Sequence, residues 1–212
     1  MAIASVPGVT VFCDPTLRSL LISIGAKAGY QVAVLSAPAA LMLAQIARHT
    51  HNDVLVTETT AMDEAETAGV IDVKTRVDGF STALVLAGPR GWNGDTATSR
   101  IAVTDATVIS GLDGRAVLAA NGISPAAVQG AACTADVAFL VLSGTADAGL
   151  MYQTDVGAEP RLLAGGPLKA EPAQIKFSAA VNAKSTSPNA QNFIALLQNS
   201  VPALQAGGLS FS

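Results

Sequence analysis

The sequence predicts an α/β protein. Two observations carry this. Short apolar runs with β-branched residues alternate along the chain with segments whose apolar residues recur at helical spacing. The apolar mass is also of one kind: hydrophobic residues make up 50% of the 212 but aromatics only 4%. That mixture, mostly Ala, Val and Leu, suits small-residue helices packed closely on a sheet. Strand–helix alternation implies parallel pairing with right-handed crossovers.

Val9 to Phe12 reads as a buried first strand. Asp14 then stands at an N-cap with Pro15 at the first helical position, and Leu17, Leu20, Leu21 and Ile24 share one face. Tyr30 to Leu35 is a second strand, punctuated by Ser36-Ala37-Pro38, and the next helix covers Ala39 to Arg48. Asp53 to Thr57 is a third strand, and Met62 to Ala68 a short acidic helix closed by Gly69. Phe80 to Leu86 is a strand running into a Gly-Pro-Arg-Gly loop at 88–91. Arg100 to Val103 opens a second series. It continues with a helix over Leu112 to Ala120, a strand near Ala126 to Val128, and a helix from Ala135. Residues 149–152 form a short buried strand, with a loop expected at its carboxyl end. Residues 157–172, rich in Gly, Pro and Ala, read as loop. Gln174 to Val181 is a strand, and Ser187-Pro188-Asn189 starts a last helix with Ala190, Phe193, Ile194 and Leu197 on one face.

A formal net charge of −4 without a basic cluster argues against nucleic acid as a partner. A small anion is still compatible, because helix N-termini bind anions without cationic side chains. No apolar run reaches the roughly 18 residues of a membrane helix. No cationic leader precedes an apolar core, so the sequence reads either as a mature chain restarted at Met1 or as a cytoplasmic one. Cys13 and Cys133 are too few for a disulfide scaffold. With only His49 and His51, no Ser–His or Cys–His pair for hydrolysis is evident. The His49-Thr50-His51 pair reads as a solvated turn rather than a metal site, and no metal or cofactor is expected. Glu58 either faces a cleft or caps the turn that follows it. The acidic run from Met62 to Glu66 reads as a solvated helix face.

Ligands of open α/β sheets sit at the carboxyl ends of strands. Tyr152 stands at such an end, where its ring could wall a cleft and its hydroxyl meet a ligand or a backbone carbonyl. The segment Gly144 to Asp155, GTADAGLMYQTD, resembles the late motif of periplasmic molybdate-binding proteins. Residues 9–12, Leu43 to Ile46, Asp53 to Thr57, Arg100 to Val103, Gly111 with Leu118, and Ser187 to Leu197 resemble that family's other segments in order. The likeness therefore covers nearly the whole chain.

The resemblance implies a type II periplasmic-binding-protein fold: two αβα lobes with a ligand cleft between them. Lobe one would comprise 1–82 plus 182–212, and lobe two 83–181. It implies a non-enzymatic, monomeric, periplasmic receptor that delivers an oxyanion such as molybdate or tungstate to the membrane subunit of an ABC importer. Carried over by position, the family's ligand contacts fall on Thr16, on Ser36 or Ala39, near Ser110 and Ala135, and on Tyr152. Asp14 departs from the pattern. Its carboxylate caps the helix, reaches the ligand, or points away. The first two of these count against simple molybdate recognition, and with Glu58 and the aligned Ala39 they suit a cationic, chelated or organic solute better than an anion. The missing leader keeps an intracellular sensor as an alternative. The resemblance sets Cys13 and Cys133 on loops facing the cleft, as two inert thiols or as a pair that closure brings together.

Overall fold

A computed structural model describes residues 6–48, 51–105, 113–169 and 174–211. In chain order its strands and helices are β1 (Gly8–Cys13), α1 (Arg18–Lys27), β2 (Gln31–Ser36), α2 (Ala39–Ala47), β3 (Val54–Glu58), α3 (Thr59–Thr67) and β4 (Val77–Pro89). They continue with β5 (Arg100–Thr104), α4 (Gly114–Ala120), β6 (Ala127–Ala131), α5 (Thr134–Leu142), β7 (Ala148–Tyr152), α6 (Gln153–Ala158), β8 (Leu162–Pro167), β9 (Gln174–Val181), α7 (Ala190–Asn199), α8 (Val201–Ala206) and β10 (Leu209–Phe211). The chain divides into two compact units. One comprises Met1–Phe80, Lys176–Gln205 and Ser210–Ser212; the other comprises Ser81–Ile175 and Ala206–Leu209.

In unit one, β1 pairs in parallel with β2 and with β3. The alternation of strand and helix anticipates this pairing. β9 then adds antiparallel to β3, from Val54 opposite Val181 to Glu58 opposite Phe177. One sheet face buries Phe12, Leu55 and Ala180 under Met42 and Ile46 of α2 and Met62 of α3. On α1, Gly25 lets the helix sit tightly on β2: a Cβ there would lie 2.1 Å from Val32 Cγ2. Phe193 of α7 meets the ring of Tyr30 edge-on at 5.8 Å.

In unit two, β5 pairs in parallel with β6 and β7. β4 runs antiparallel to β7 and to β8. Val85, Ala102, Met151 and Leu162 pack with Val137 and Val141 of α5.

The structure corrects the sequence reading at three places. The loop expected after Tyr152 is helix α6, and its first turn closes when Asp155 Oδ2 accepts the Tyr152 N–H at 3.1 Å. The loop expected over 157–172 contains β8, whose pairing is supplied by β4, Ala87 opposite Ala164 and Pro89 opposite Leu162. Gly165 fits there because its Cα is bare; a Cβ would stand 3.0 Å from the Leu86 carbonyl oxygen. After α7 the chain adds α8 and β10, which periodicity did not announce. Among the described residues no helix is long and apolar enough to cross a membrane.

Candidate ligand-binding site

The carboxyl edge of the parallel strands in unit one gathers most of the residues singled out by sequence. β1 ends at Cys13, beside Ser36 at the end of β2 and Val56 of β3. Asp14 follows as N-cap of a 3-10 turn over Pro15–Leu17, and its Oδ1 accepts the Thr16 N–H at 3.1 Å. The capping reading of Asp14 is therefore the one its geometry supports, and it occupies an amide that a ligand would otherwise use. Thr16 is buried, and Asp14 half-buried. α2 starts at Ala39 behind Pro38, with no side chain capping its first turn. Proline has no side-chain acceptor to offer, so the first N–H groups of this helix carry their partial positive charge towards the strand ends.

Two features of this edge were not anticipated. Arg18, at the start of α1, extends its Nη1 to 3.5 Å from Ser36 Oγ, a long contact that brings a cation to the loop before α2. Its spacing of four residues from Asp14 was the available signal. The second is a hydroxyl chain at the start of α3. Ser178 Oγ donates to Asp78 Oδ1, so its oxygen is left to accept from Thr59 Oγ1 at 3.0 Å. Partial burial pushes the Asp78 carboxyl up, but the Ser178 and Arg76 donors outweigh it and hold it below its ordinary value. Thr59 and Ser178 are 119 residues apart, and no sequence pattern links them. Glu58 occupies the N-cap position of α3, but its side chain makes no capping bond and is buried at 5% exposure. The expectation that it caps the turn is corrected: as the last residue of β3 it stands opposite Phe177.

Unit two has a comparable edge. β6 ends at Ala131, and α5 begins one residue past Cys133, again without a capping side-chain oxygen. Ala135 lies in its first turn. β7 ends at Tyr152, which is buried. Asp105, past the end of β5, lies against Gly130: a Cβ on that glycine would fall 2.2 Å from Asp105 Oδ2. Glycine at 130 thus makes room for a carboxylate that sequence reasoning passed over. Ser110 lies outside the described residues, as does His49. His51 is exposed and its Nε2 approaches Asp53 Oδ1 at 3.4 Å. Among the described residues no three metal-ligating side chains converge.

Cys13 and Cys133 are both free thiols. Burial, then the neighbouring Asp14 carboxylate, pushes the Cys13 thiol far up. Burial also pushes Cys133 up to about 11, although the N–H groups of Asp136 and Ala135 favour its thiolate.

These edges set carboxylates beside helix starts whose first turns have no side-chain cap. Residues 9–201 match the model of a family described as bacterial extracellular solute-binding proteins. The chain belongs to that family. It is a solute-binding protein and not an enzyme. No curated protein matches the sequence at a significant level. Solved structures share the fold at low identity. The periplasmic molybdate-binding protein of Azotobacter vinelandii superimposes with a TM-score of 0.79 at 17% identity, over 96% of this chain and 99% of that one. PEB3 of Campylobacter jejuni, solved with L-phospholactate, gives 0.69 at 14% identity over 96% and 100%. Iron-bound HitA of Pseudomonas aeruginosa gives 0.59 at 16% over 95% and 83%. The solute-binding protein thus has the type II periplasmic-binding-protein fold.

Proposed function

We propose that this solute-binding protein captures a small oxyanion, molybdate or tungstate first, and delivers it to an ABC importer from the periplasm. The observation that carries the reading is the start of α2. Its first turn lacks a side-chain cap and lies next to Ser36, which the Arg18 guanidinium approaches. Backbone N–H groups near Ala39, the hydroxyls of Thr16 and Ser36, and one guanidinium are the donors that a desolvated dianion requires. The first turn of α5 at Ala135 offers the same kind of donor, and the resemblance adds Ser110 and Tyr152. The molybdate-binding neighbour supports this choice of solute.

A second reading has an observation of its own. Asp14, Glu58 and Asp105 put carboxylates just at or past the ends of β1, β3 and β5, and the iron-bound neighbour shares the fold. Under that reading the solute is a cation or a metal chelate. Thermal-shift titration separates the two. A ligand at one hundred times its Kd stabilises the folded state by about 2.7 kcal/mol. For a chain of this length that raises the melting temperature by about 5–11 °C. Molybdate and tungstate should do so, and sulfate less. If only ferric or other cationic ligands shift the melting, the oxyanion reading is wrong.

A further inference from the structure

Unit two holds a cavity of about 260 Å³ between the β4–β8 ribbon and the segment that joins α4 to β6. Leu86 and Gly165 line it from the ribbon, and Asn121 and Ile123 from the segment. Ser99, just before β5, bonds to Ala126, just before β6, so this is the amino-terminal end of those strands. The five residues of β5 set it about 16 Å from the carboxyl edge at Ala131 and Tyr152.

One wall is an indole held from three sides. A Cβ on Gly88 would stand 2.7 Å from Trp92 Cγ and Cδ2, so the ring lies directly on the bare backbone of β4. Its Cζ3 comes to 3.8 Å from where a Cβ on Gly165 would stand. Its Nε1 donates to Ser99 Oγ at 3.3 Å, and Ser99 Oγ donates in turn to the Asp95 carbonyl. The indole N–H is thereby used, and the half-buried ring offers the cavity carbon alone. Asn121 is likewise engaged: its Oδ1 accepts the Lys169 N–H at 2.7 Å, and its Nδ2 donates to the Val117 carbonyl at 2.9 Å. Leu86, Ile123 and Leu168 extend the apolar wall. Among the described residues that line the cavity, Lys169 alone is charged. It is exposed, and its ammonium has no partner among the described residues.

We infer that this cavity is a second site, for a small aromatic monocarboxylate. An aromatic ring beside the indole gains a quadrupolar contact that an aliphatic chain lacks. Leu86, Ile123 and Leu168 take its apolar surface out of water. Its carboxylate meets the accessible Lys169 ammonium, with no carboxylate in the wall to compete. The volume falls just short of the roughly 300 Å³ of the smaller ligand pockets, so a single ring is the size that fits. The inference stands on unit two alone and holds whichever solute the carboxyl edges take.

The test follows the emission of Trp92, the sole tryptophan, in the full chain. Phenylacetate should change it saturably. Cyclohexylacetate and phenethyl alcohol should bind more weakly, and phenethylamine most weakly. Lys169→Gln, at an exposed position, should weaken phenylacetate about threefold to fivefold and leave phenethyl alcohol unchanged. Ile123→Ala should weaken both together. Emission that phenylacetate does not change saturably overturns the inference. So does equal affinity for phenethylamine or cyclohexylacetate, or a Lys169→Gln variant that binds phenylacetate as tightly as the parent.

Discussion

Replacing Gly149 by alanine tests whether the segment that carried the sequence reading is also a packing joint. Gly149 sits in β7 beneath α5, where a Cβ would lie 2.3 Å from Val137 Cγ1, 3.1 Å from Val141 Cγ2 and 3.3 Å from Met151 Cε. Ordinary carbon–carbon contact is about 3.5–4.0 Å, so Val137 must retreat by roughly 1.2–1.7 Å. It has nowhere to go: Val137 is fully buried and Val141 is 2% exposed. Overpacking of this kind costs about 1–3 kcal/mol. Alanine recovers about 0.5–1 kcal/mol through its smaller backbone entropy loss in a strand. The difference is a net loss of about 0–2.5 kcal/mol, centred on about 1 kcal/mol. Trp92 is the only tryptophan. It belongs to the same unit as Gly149, and its Nε1 donates to Ser99 Oγ at 3.3 Å. Its fluorescence during urea unfolding therefore reports on the affected unit. The midpoint should fall by about 0.5–1 M at unchanged slope. Val137→Ala alone should also destabilise, but adding it to Gly149→Ala should restore at least about 1 kcal/mol relative to the sum. An unshifted midpoint for Gly149→Ala, or strict additivity in the double variant, refutes the reasoning.

Three further outcomes are expected. Asparagine caps as well as aspartate, so Asp14→Asn should leave the fold intact and remove one negative charge from the proposed anion site. Calorimetry should find molybdate bound at least about fivefold tighter, and weaker binding would count against an anionic solute. The Arg100 side chain and backbone N–H hold Asp147 at about 2, below its ordinary 3.8. A depressed carboxyl contributes stability above its unfolded pKa and loses it as the pH falls through the folded one. Asp147→Asn should therefore be less stable than the parent at neutral pH, with the gap closing between pH 3.8 and about 2 in urea titrations; a constant gap contradicts this. Because burial raises both thiols, Ellman's reagent at pH 8 should label neither quickly in the folded chain and two after denaturation. A rapidly labelled thiol in the folded protein would contradict the burial argument.

Local chemistry was legible wherever one segment contains all of its own determinants. Asp14-Pro15 announced a helix start, and Asp14 does cap the turn it begins. The β-branched runs became β1, β2 and β3, paired in parallel as strand–helix alternation requires. Gly144 to Asp155 pointed to a solute-binding family, and the match over residues 9–201 bears this out. Its last residues were misread as loop because the bond that closes α6, Asp155 to the Tyr152 N–H, leaves no hydrophobic period. Tertiary structure alone decided the rest. β8 is a strand because β4 lies beside it, and its Gly-rich composition hides that pairing. β9 reverses direction against β3, and thereby sets Ser178 next to Thr59 across 119 residues. Asn52 and Asn182 are 130 residues apart, yet one amide fixes the other's orientation. Sequence determines what a residue can offer its near neighbours. Hydrogen bonds between distant segments depend on which strands the sheet brings together, and no local period encodes that.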